Sequence, residues 1–273
     1  MIVGIVAQRD NNRAIELAAS VAERLAGPQT DVHGDPRTAS DIDVAECDVQ
    51  SMDECDLVVS IGGDGTFLFA AKGAGSTPII GVNLGEVGFL NTVTPEHAIE
   101  TIEGEAVQYR ETGTISHREV PRVRLSGSDW GLSPALNEVL VQGHRRGHAD
   151  GLNLEIRVDG SVYDSTRADG VLVATPTGST AYNLSEEGPL VHPQIDGFVI
   201  NIMAGRKAMP PLIVSEDADI EIAISGAAAA VVSSDGSEHR TITPPTEVTV
   251  TAAEPAKVAG PGTAFFEALG KLE

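Results

Sequence analysis

Several things are scarce in this chain of 273 residues, and each scarcity excludes something. There are two cysteines, Cys47 and Cys55, in no Cys-x-x-Cys or Cys/His pattern, so a disulfide framework and a zinc finger are both set aside. A reduced, cytoplasmic protein is the plain expectation. No run of eighteen apolar residues occurs, so no membrane-spanning helix is expected. The apolar start, residues 1–7, has no basic lead and reads as a first strand rather than a signal peptide. Neither Gly-x-Gly-x-x-Gly nor Gly-x-x-x-x-Gly-Lys-Ser/Thr is present, which removes the common dinucleotide fingerprint and the Walker loop. The histidines show no metal-ligand spacing, and no residue is assigned as a metal ligand.

Positive charge is the greatest scarcity. Lysine and arginine total 18 against 40 aspartates and glutamates, a formal net charge of −22, and only Lys72, Lys207, Lys257 and Lys271 are lysines. Such a surface repels nucleic acid and anionic membranes, so neither is expected as a partner. Disorder is opposed by the 41% apolar content. A surface adapted to high salt, where screening relieves self-repulsion, accounts for the charge.

What is present centres on residues 57–66, Leu-Val-Val-Ser-Ile-Gly-Gly-Asp-Gly-Thr. A buried strand runs into a glycine turn, and residues 67–72 resume as a helix. Gly62, Gly63 and Gly65, with Thr66, leave main-chain N–H groups open to phosphate oxygens, and the helix adds its positive end. Asp64 does not belong in a pure anion cradle. It fits a proton acceptor for a hydroxyl nucleophile, or a metal holder, and so phosphoryl transfer onto an alcohol. The bland alternative is a turn with Asp64 as a local cap. The pentapeptide Gly62 to Thr66 resembles the phosphate loop shared by NAD kinases, diacylglycerol and sphingosine kinases, and 6-phosphofructokinases.

In chain order, residues 2–7 read as a strand and 11–25 as a helix, with Ile15, Ala18, Ala19, Ala22 and Leu25 at helical spacing. Residues 29–54 read as loop plus a short strand. A strand at 78–83 follows, then a helix from Thr94 and Pro95 to about Ile102. Alternating strands and helices predict a parallel α/β sheet over 1–112, with its ligand site at the C-terminal ends of the strands. From 113 to 259 short strands at 120–125, 135–142, 152–158, 161–165, 171–175, 198–203, 220–225, 229–233 and 247–251 predict an all-β sandwich, with Asp-Gly hairpin signals at Asp159 and Asp235. The last segment, within 260–273, reads as a helix with an aromatic face.

Two further constellations lie in the β region. Residues 169–185 run from an apolar strand into Thr175-Pro176-Thr177-Gly178-Ser179-Thr180-Ala181-Tyr182-Asn183-Leu184-Ser185. That turn, dense in hydroxyls and main-chain amides, can read a purine edge, with Tyr182 offering a flat face; a plain β-domain turn is the alternative. Asn137 and Glu138 place an amide and a carboxylate side by side in an apolar strand, where one of the two should face a cleft or solvent; an edge-strand polar pair is the other reading. His144-Arg145-Arg146-Gly147-His148 is a rare basic island, either a partner for a pyrophosphate or a solvated loop.

Together these segments resemble the NAD kinase family over most of the chain. The matching pieces are Gly62 to Thr66, Gly81-Val82-Asn83-Leu84-Gly85 with Gly88-Phe89-Leu90, Asn137-Glu138, Thr175 to Ser185, Gly188-Pro189-Leu190-Val191-His192-Pro193, and Asp235-Gly236. The resemblance implies a Rossmann-like N-terminal α/β domain, a C-terminal β-sandwich, and a last helix returning to the first domain. It also implies phosphoryl transfer from ATP or polyphosphate, with Mg²⁺, to the 2′-hydroxyl of the adenosine ribose of NAD, in a homodimer or homotetramer. By the same resemblance Asp64 takes the hydroxyl proton and Gly65 lies beside the ligand. Asn137 and Glu138 hold ribose hydroxyls; Thr180, Ala181, Tyr182, Asn183, Leu184 and Ser185 line the adenine and ribose. Arg167 and Asp169 reach the nicotinamide end from a neighbouring subunit, and Ala204 is a small residue against the ligand. The family often carries Cys-Pro-His-Ser where this chain has Met203-Ala204-Gly205-Arg206-Lys207, so that histidine's contacts do not transfer, and Arg206 and Lys207 stand as phosphate neighbours instead. The alternatives are a lipid or sugar kinase with the same loop, or a non-catalytic dinucleotide sensor.

Overall fold

The computed structural model describes residues 1–85, 88–144, 151–205, 208–262 and 265–270. The chain divides into two compact units, Met1–Val120 with Pro255–Glu273, and Pro121–Glu254. The first begins with β1 (Ile2–Ala7), α1 (Asn12–Leu25), β2 (Asp31–Gly34), α2 (Pro36–Ile42) and β3 (Ala45–Glu46). A 3-10 turn at Val49–Glu54 leads to β4 (Leu57–Gly62), α3 (Asp64–Ala74), β5 (Ile79–Asn83) and α4 (Pro95–Thr112). The strand β6 (His117–Ser126) leads on to the second unit.

That unit holds β7 (Glu138–Gly143), β8 (Leu152–Val158), β9 (Ser161–Ala168), β10 (Gly170–Ala174), α5 (Tyr182–Ser185), β11 (Gly197–Met203), β12 (Leu212–Ser215), β13 (Ile220–Ser225), β14 (Ala230–Ser234) and β15 (Glu238–Ile242). The long β16 (Thr246–Ala259) starts in the second unit and ends in the first, which closes with α6 (Phe265–Leu269).

Every strand pair of the first unit is parallel, in the order β3-β2-β1-β4-β5, with Val258 and Ala259 of β16 opposite Ile79 and Ile80. This is the doubly wound order, in which the direction of winding reverses between β1 and β4. All six residues of β4 are buried, as a central parallel strand requires. Val3, Ile5, Leu57, Val59, Ile61 and Ile80 join Ala14, Ala18, Val21 and Ala22 of α1 and Ala98, Ile102 and Ala106 of α4 in one core. Each large side chain so buried contributes roughly 1.5–3 kcal/mol. With the opposite side-chain parity, Gly4 makes room for Met52, whose Sδ would lie 2.5 Å from a Cβ there.

Residues 29–54 hold more structure than the expected loop and strand: β2, α2, β3 and the 3-10 turn all lie there. The start of α2 has a physical cause, since the Asp35 carboxylate accepts the Thr38 N–H and Pro36 takes the first helical position. α4 runs on to Thr112 instead of ending near Ile102, and stops at Gly113, which has φ 72.

In the second unit a six-stranded antiparallel sheet has the order β12-β11-β10-β7-β14-β15. A second antiparallel set, β16-β13-β8-β9, packs its inner residues Leu152, Leu154, Ile156, Ile220, Ile222, Ile224, Val248 and Val250 with Val139, Val141, Val171, Val173, Phe198 and Ile200 of the first sheet. The result is the β-sandwich expected from the strand pattern. The other face of the six-stranded sheet is covered too: Leu140, Leu172, Ala174, Val191, Val199 and Met203 form a second cluster with Tyr182 packed on it. Burial on both faces makes β10 apolar at every position. The Asp159-Gly160 turn joins Val158 to Ser161 with φ 49 and 75, the two-residue hairpin that Asp-Gly predicts. Two short strands, β12 and β15, and the continuation of β16 to Ala259 go beyond the sequence expectations.

Candidate active site

In the first unit, β4 ends at Gly62, Gly63 is the cap residue, and Asp64 is already the first residue of α3. No side chain caps this helix start. The three glycines differ in what they do. A Cβ at Gly62 would meet Thr66 Oγ1 at 2.5 Å and Gln8 Cβ at 2.8 Å, so packing alone demands glycine there. A Cβ at Gly63 or Gly65 meets nothing within 4 Å, and neither has a positive φ. Nothing among the described residues accounts for those two glycines. An open main chain at a helix start, at the winding switch of a parallel sheet, is where an anionic ligand binds.

The Asp64 carboxylate is half-buried and holds the segment beyond β5. Oδ2 accepts the Phe89 N–H at 3.2 Å; Oδ1 accepts the N–H of Leu90 at 3.4 Å, that of Asn91 at 3.3 Å and Asn91 Nδ2 at 3.2 Å. Gly88 must be glycine, because a Cβ there would fall 2.3 Å from Asp64 Oδ1. Sequence reasoning singled out Gly88-Phe89-Leu90 but not Asn91, nor Arg9. Arg9 lies two residues past the end of β1, after Gln8, whose N–H reaches the Ile61 carbonyl at 2.8 Å, and its guanidinium lies 5.3 Å above the Phe69 ring of α3. A basic residue just past a parallel strand was the signal available for it.

In the second unit the hydroxyl-rich turn and the Asn137-Glu138 pair are one structure. The Thr175 N–H donates to the Asn137 carbonyl at 2.9 Å, and Thr175 Oγ1 accepts from the Gly178 N–H at 3.1 Å. Gly178 lies so close to that carbonyl that a Cβ would sit 1.9 Å from it. Asn137 precedes β7 rather than lying in it, half-buried, and Glu138 opens the strand with 8% exposure. One Glu138 oxygen receives the Tyr182 N–H, while Oε2 is buried with no hydrogen-bond partner among the described residues. Burial first, and then the neighbouring Asp235 charge, push the Glu138 carboxyl up to about 7, against the Tyr182 N–H, which pulls it down. A carboxyl held near neutrality, with an open oxygen, is suited to a hydroxyl partner.

The rest of the turn divides into inner and outer parts. Ser179 is fully buried and bonds the Pro176 and Val191 carbonyls. Asn183 is fully buried as well: its Nδ2 donates to the carbonyls of Ser179 and Pro189, and its Oδ1 accepts from Asn201. Its side chain is therefore committed to the fold. Thr180, Ala181, Tyr182 and Leu184 are half-buried and Ser185 is exposed.

The remaining assigned residues lie at the opposite end of the sheet. The Asp169 N–H donates to the Met203 carbonyl at 3.0 Å and its carbonyl accepts from Gly143 at 3.0 Å. Ala204, exposed and with φ 50, follows Met203, and Arg167 is exposed at the end of β9. β10 separates Asp169 from Thr175 by roughly 20 Å, at about 3.4 Å per residue. The structure thus brings Asn137, Glu138 and the 175–185 turn together, and sets Asp169 and Ala204 apart from them. Arg145, Arg146, His148, Arg206 and Lys207 lie outside the described residues, while His144 is exposed.

A doubly wound sheet with an open glycine turn, joined to a sandwich carrying a hydroxyl-rich turn, defines a nucleotide-binding protein of α/β-plus-β build. Comparison with known proteins gives the family. The model of the ATP-NAD kinase N-terminal domain matches residues 3–106, and that of the C-terminal domain matches 136–259. The chain is 56% identical to an NAD kinase of Halobacterium salinarum, with all of both chains covered. It is 35% identical to one of Methanothermobacter thermautotrophicus over 81% of this chain and 77% of that one. Among solved structures, the NAD kinase of Archaeoglobus fulgidus in complex with ATP superposes with a TM-score of 0.79 at 27% identity, covering 100% and 98% of the two chains. A yeast NADH kinase complexed with NADH shares the fold with a TM-score of 0.84 at 23% identity, covering 100% and 87%. The chain belongs to the NAD kinase family.

Proposed function

We propose that this chain is an NAD kinase, moving the terminal phosphoryl group of ATP onto the 2′-hydroxyl of the adenosine ribose of NAD to give NADP. The observation that carries the reading is the joining of the hydroxyl-rich turn to Asn137 and Glu138 through the Thr175 N–H and the Tyr182 N–H. That union makes one surface of ribose-binding and base-binding groups. Asn137 and Glu138 take ribose hydroxyls, while Thr180, Ala181, Tyr182 and Ser185 take adenine and ribose. The main chain of Gly63 and Gly65 takes donor phosphates. Such a turn reads phosphate oxygens without reading a base, so polyphosphate falls within the donor class.

In the reaction the 2′-oxygen forms a bond to the γ-phosphorus and loses its proton to the Asp64 carboxylate. The bond from that phosphorus to the β–γ bridging oxygen breaks, and ADP leaves. Three of the four N–H contacts fall on Asp64 Oδ1 and only that of Phe89 on Oδ2, so Oδ2 keeps a lone pair for that proton. Among the described residues no group of three or more His, Cys, Asp or Glu side chains forms a metal site. Mg²⁺ would arrive with the donor phosphates at the open main chain of Gly63 and Gly65, beside the Asp64 carboxylate, and would supply charge neutralisation there.

The separation of Asp169 from the Asn137 turn supports an oligomer, a homodimer or homotetramer, in which Arg167 and Asp169 serve a neighbouring subunit's ligand. We place the work in the cytoplasm, where the free thiols Cys47 and Cys55 stay reduced.

Replacing Asp64 with Asn tests the chemistry. A positioned base contributes about 10²–10⁴-fold, so kcat falls by roughly that factor while NAD affinity changes far less. Partial recovery at high Mg²⁺ or Mn²⁺ would make Asp64 a metal holder, and a near-normal kcat would remove it from the chemistry.

A further inference from the structure

Asp235 lies in the turn from β14 to β15 with φ 45. A hairpin of this kind asks only for a residue that tolerates the left-handed region, and Asn meets that demand as well as Asp. The carboxylate answers a different demand. Asp235 Oδ2 accepts the Leu136 N–H at 2.9 Å, and Oδ1 accepts the N–H groups of Asn137 at 2.8 Å and Glu138 at 3.3 Å. The Asp235 N–H closes the ring by donating to the Glu138 carbonyl at 3.0 Å. Three successive main-chain N–H groups aimed at one anion form a nest, here filled from within the protein. The segment it holds is irregular, since β7 begins only at Glu138. Beyond the single bond from the Thr175 N–H to the Asn137 carbonyl, it is the Asp235 carboxylate that fixes this entry into β7 and the presentation of the Asn137 side chain.

We propose that Asp235 is a positioning residue for the acceptor substrate: through the N–H groups of residues 136–138 it fixes the presentation of Asn137 and Glu138 to the ribose of NAD. This rests on the NAD kinase reading. Asp235 itself touches no reacting atom. It acts a second way, by charge. The groups facing the Glu138 carboxyl are the Asp235 carboxylate from the β14–β15 turn and the Tyr182 N–H from the start of α5. The Asp235 charge holds Glu138 protonated to higher pH than burial alone would. Ribose hydroxyls donate to the ionised Glu138 carboxylate, so wild-type kcat/KM for NAD is expected to rise through an acid limb as Glu138 ionises.

The test is steady-state kinetics of Asp235→Asn against wild type, with NAD and ATP varied separately across pH 5.5–9. Asn keeps the hairpin but puts an NH₂ where an acceptor oxygen was. KM for NAD rises about tenfold or more, as small misplacements do, while KM for ATP stays within about twofold. The acid limb of kcat/KM for NAD moves to lower pH, because Glu138 then ionises more readily. Asp235→Ser, which keeps one acceptor oxygen, is the second variant and falls between wild type and Asp235→Asn in KM for NAD. An unchanged KM for NAD with an unmoved limb overturns the proposal. So does an equal loss toward both substrates, or unfolding of both variants at the assay temperature, since Asp235 is then structural only. Absence of NAD turnover by the wild type overturns the NAD kinase reading instead; normal wild-type turnover beside an unaffected Asp235→Asn overturns the Asp235 role alone.

Discussion

At the scale of single residues, two carboxylates do the same mechanical work, one in each unit. Asp64 gathers the N–H groups of residues 89–91, and Asp235 gathers those of 136–138. Asp64 fixes an irregular segment beyond β5, and Asp235 fixes the entry into β7. The glycines next to Asp64 separate packing from function. Gly62 is required by Thr66 and Gln8, whereas Gly63 and Gly65 have open space where a Cβ would go. Gly63→Ala and Gly65→Ala should therefore leave stability within about 1 kcal/mol of wild type, since Gly-to-Ala changes at permissive positions are worth roughly 0.5–1 kcal/mol. The same changes should raise KM for ATP about tenfold or more by keeping phosphate off the main chain. Thermal melts and ATP titrations on both variants check this. A large loss of stability, or an unchanged KM for ATP, would contradict the phosphate assignment.

At the scale of elements, legibility in the sequence followed burial. β4, β5, β10 and β11 are buried throughout or nearly so, and their unbroken apolar runs marked them. β15 was illegible because its Glu238, His239, Arg240 and Thr241 are polar and mostly exposed at the sheet edge, leaving no alternation to see. β12, also an edge strand, is short and only half-buried. α2 was missed although its Asp35-Pro36 start was there to be seen; its seven residues carry too few apolar positions to show a period. The anchoring by Asp235 was illegible for another reason, since the bonded residues lie about a hundred positions apart in sequence. The separation of Asp169 from Asn137 along β10 leads to an element-scale prediction. Mixing Asp64→Asn subunits with Asp169→Ala subunits should restore part of the activity that each lacks alone, because hybrid oligomers contain some intact sites. Subunit exchange is followed by mass spectrometry and NADP formation by absorbance. Proven exchange with no recovery would mean that each site is built from one chain.

At the scale of the whole molecule, the net charge of −22 dominates. Ion pairs hold Arg24, Arg37 and Arg157, and with 40 acidic residues against 18 basic ones most of the negative charge lacks a counterpart by number alone. Screening reduces its reach from about 10 Å at 0.1 M salt to about 3 Å at 1 M. The melting temperature should accordingly rise as KCl is raised from dilute to molar, and a flat or falling midpoint would contradict a salt-adapted surface. Function at this scale rests on the family and on the union of the 175–185 turn with Asn137 and Glu138. The most direct test of it is a donor-by-acceptor activity matrix in molar KCl with Mg²⁺. ATP and polyphosphate serve as donors, and NAD, diacylglycerol and fructose 6-phosphate as acceptors. The account predicts NADP from NAD with ATP, at rates far above either other acceptor, and a rate lower by about 10²–10⁴-fold with Asp64→Asn at comparable enzyme concentration. Faster phosphorylation of the lipid or the sugar, or tight NAD binding without turnover, would contradict it.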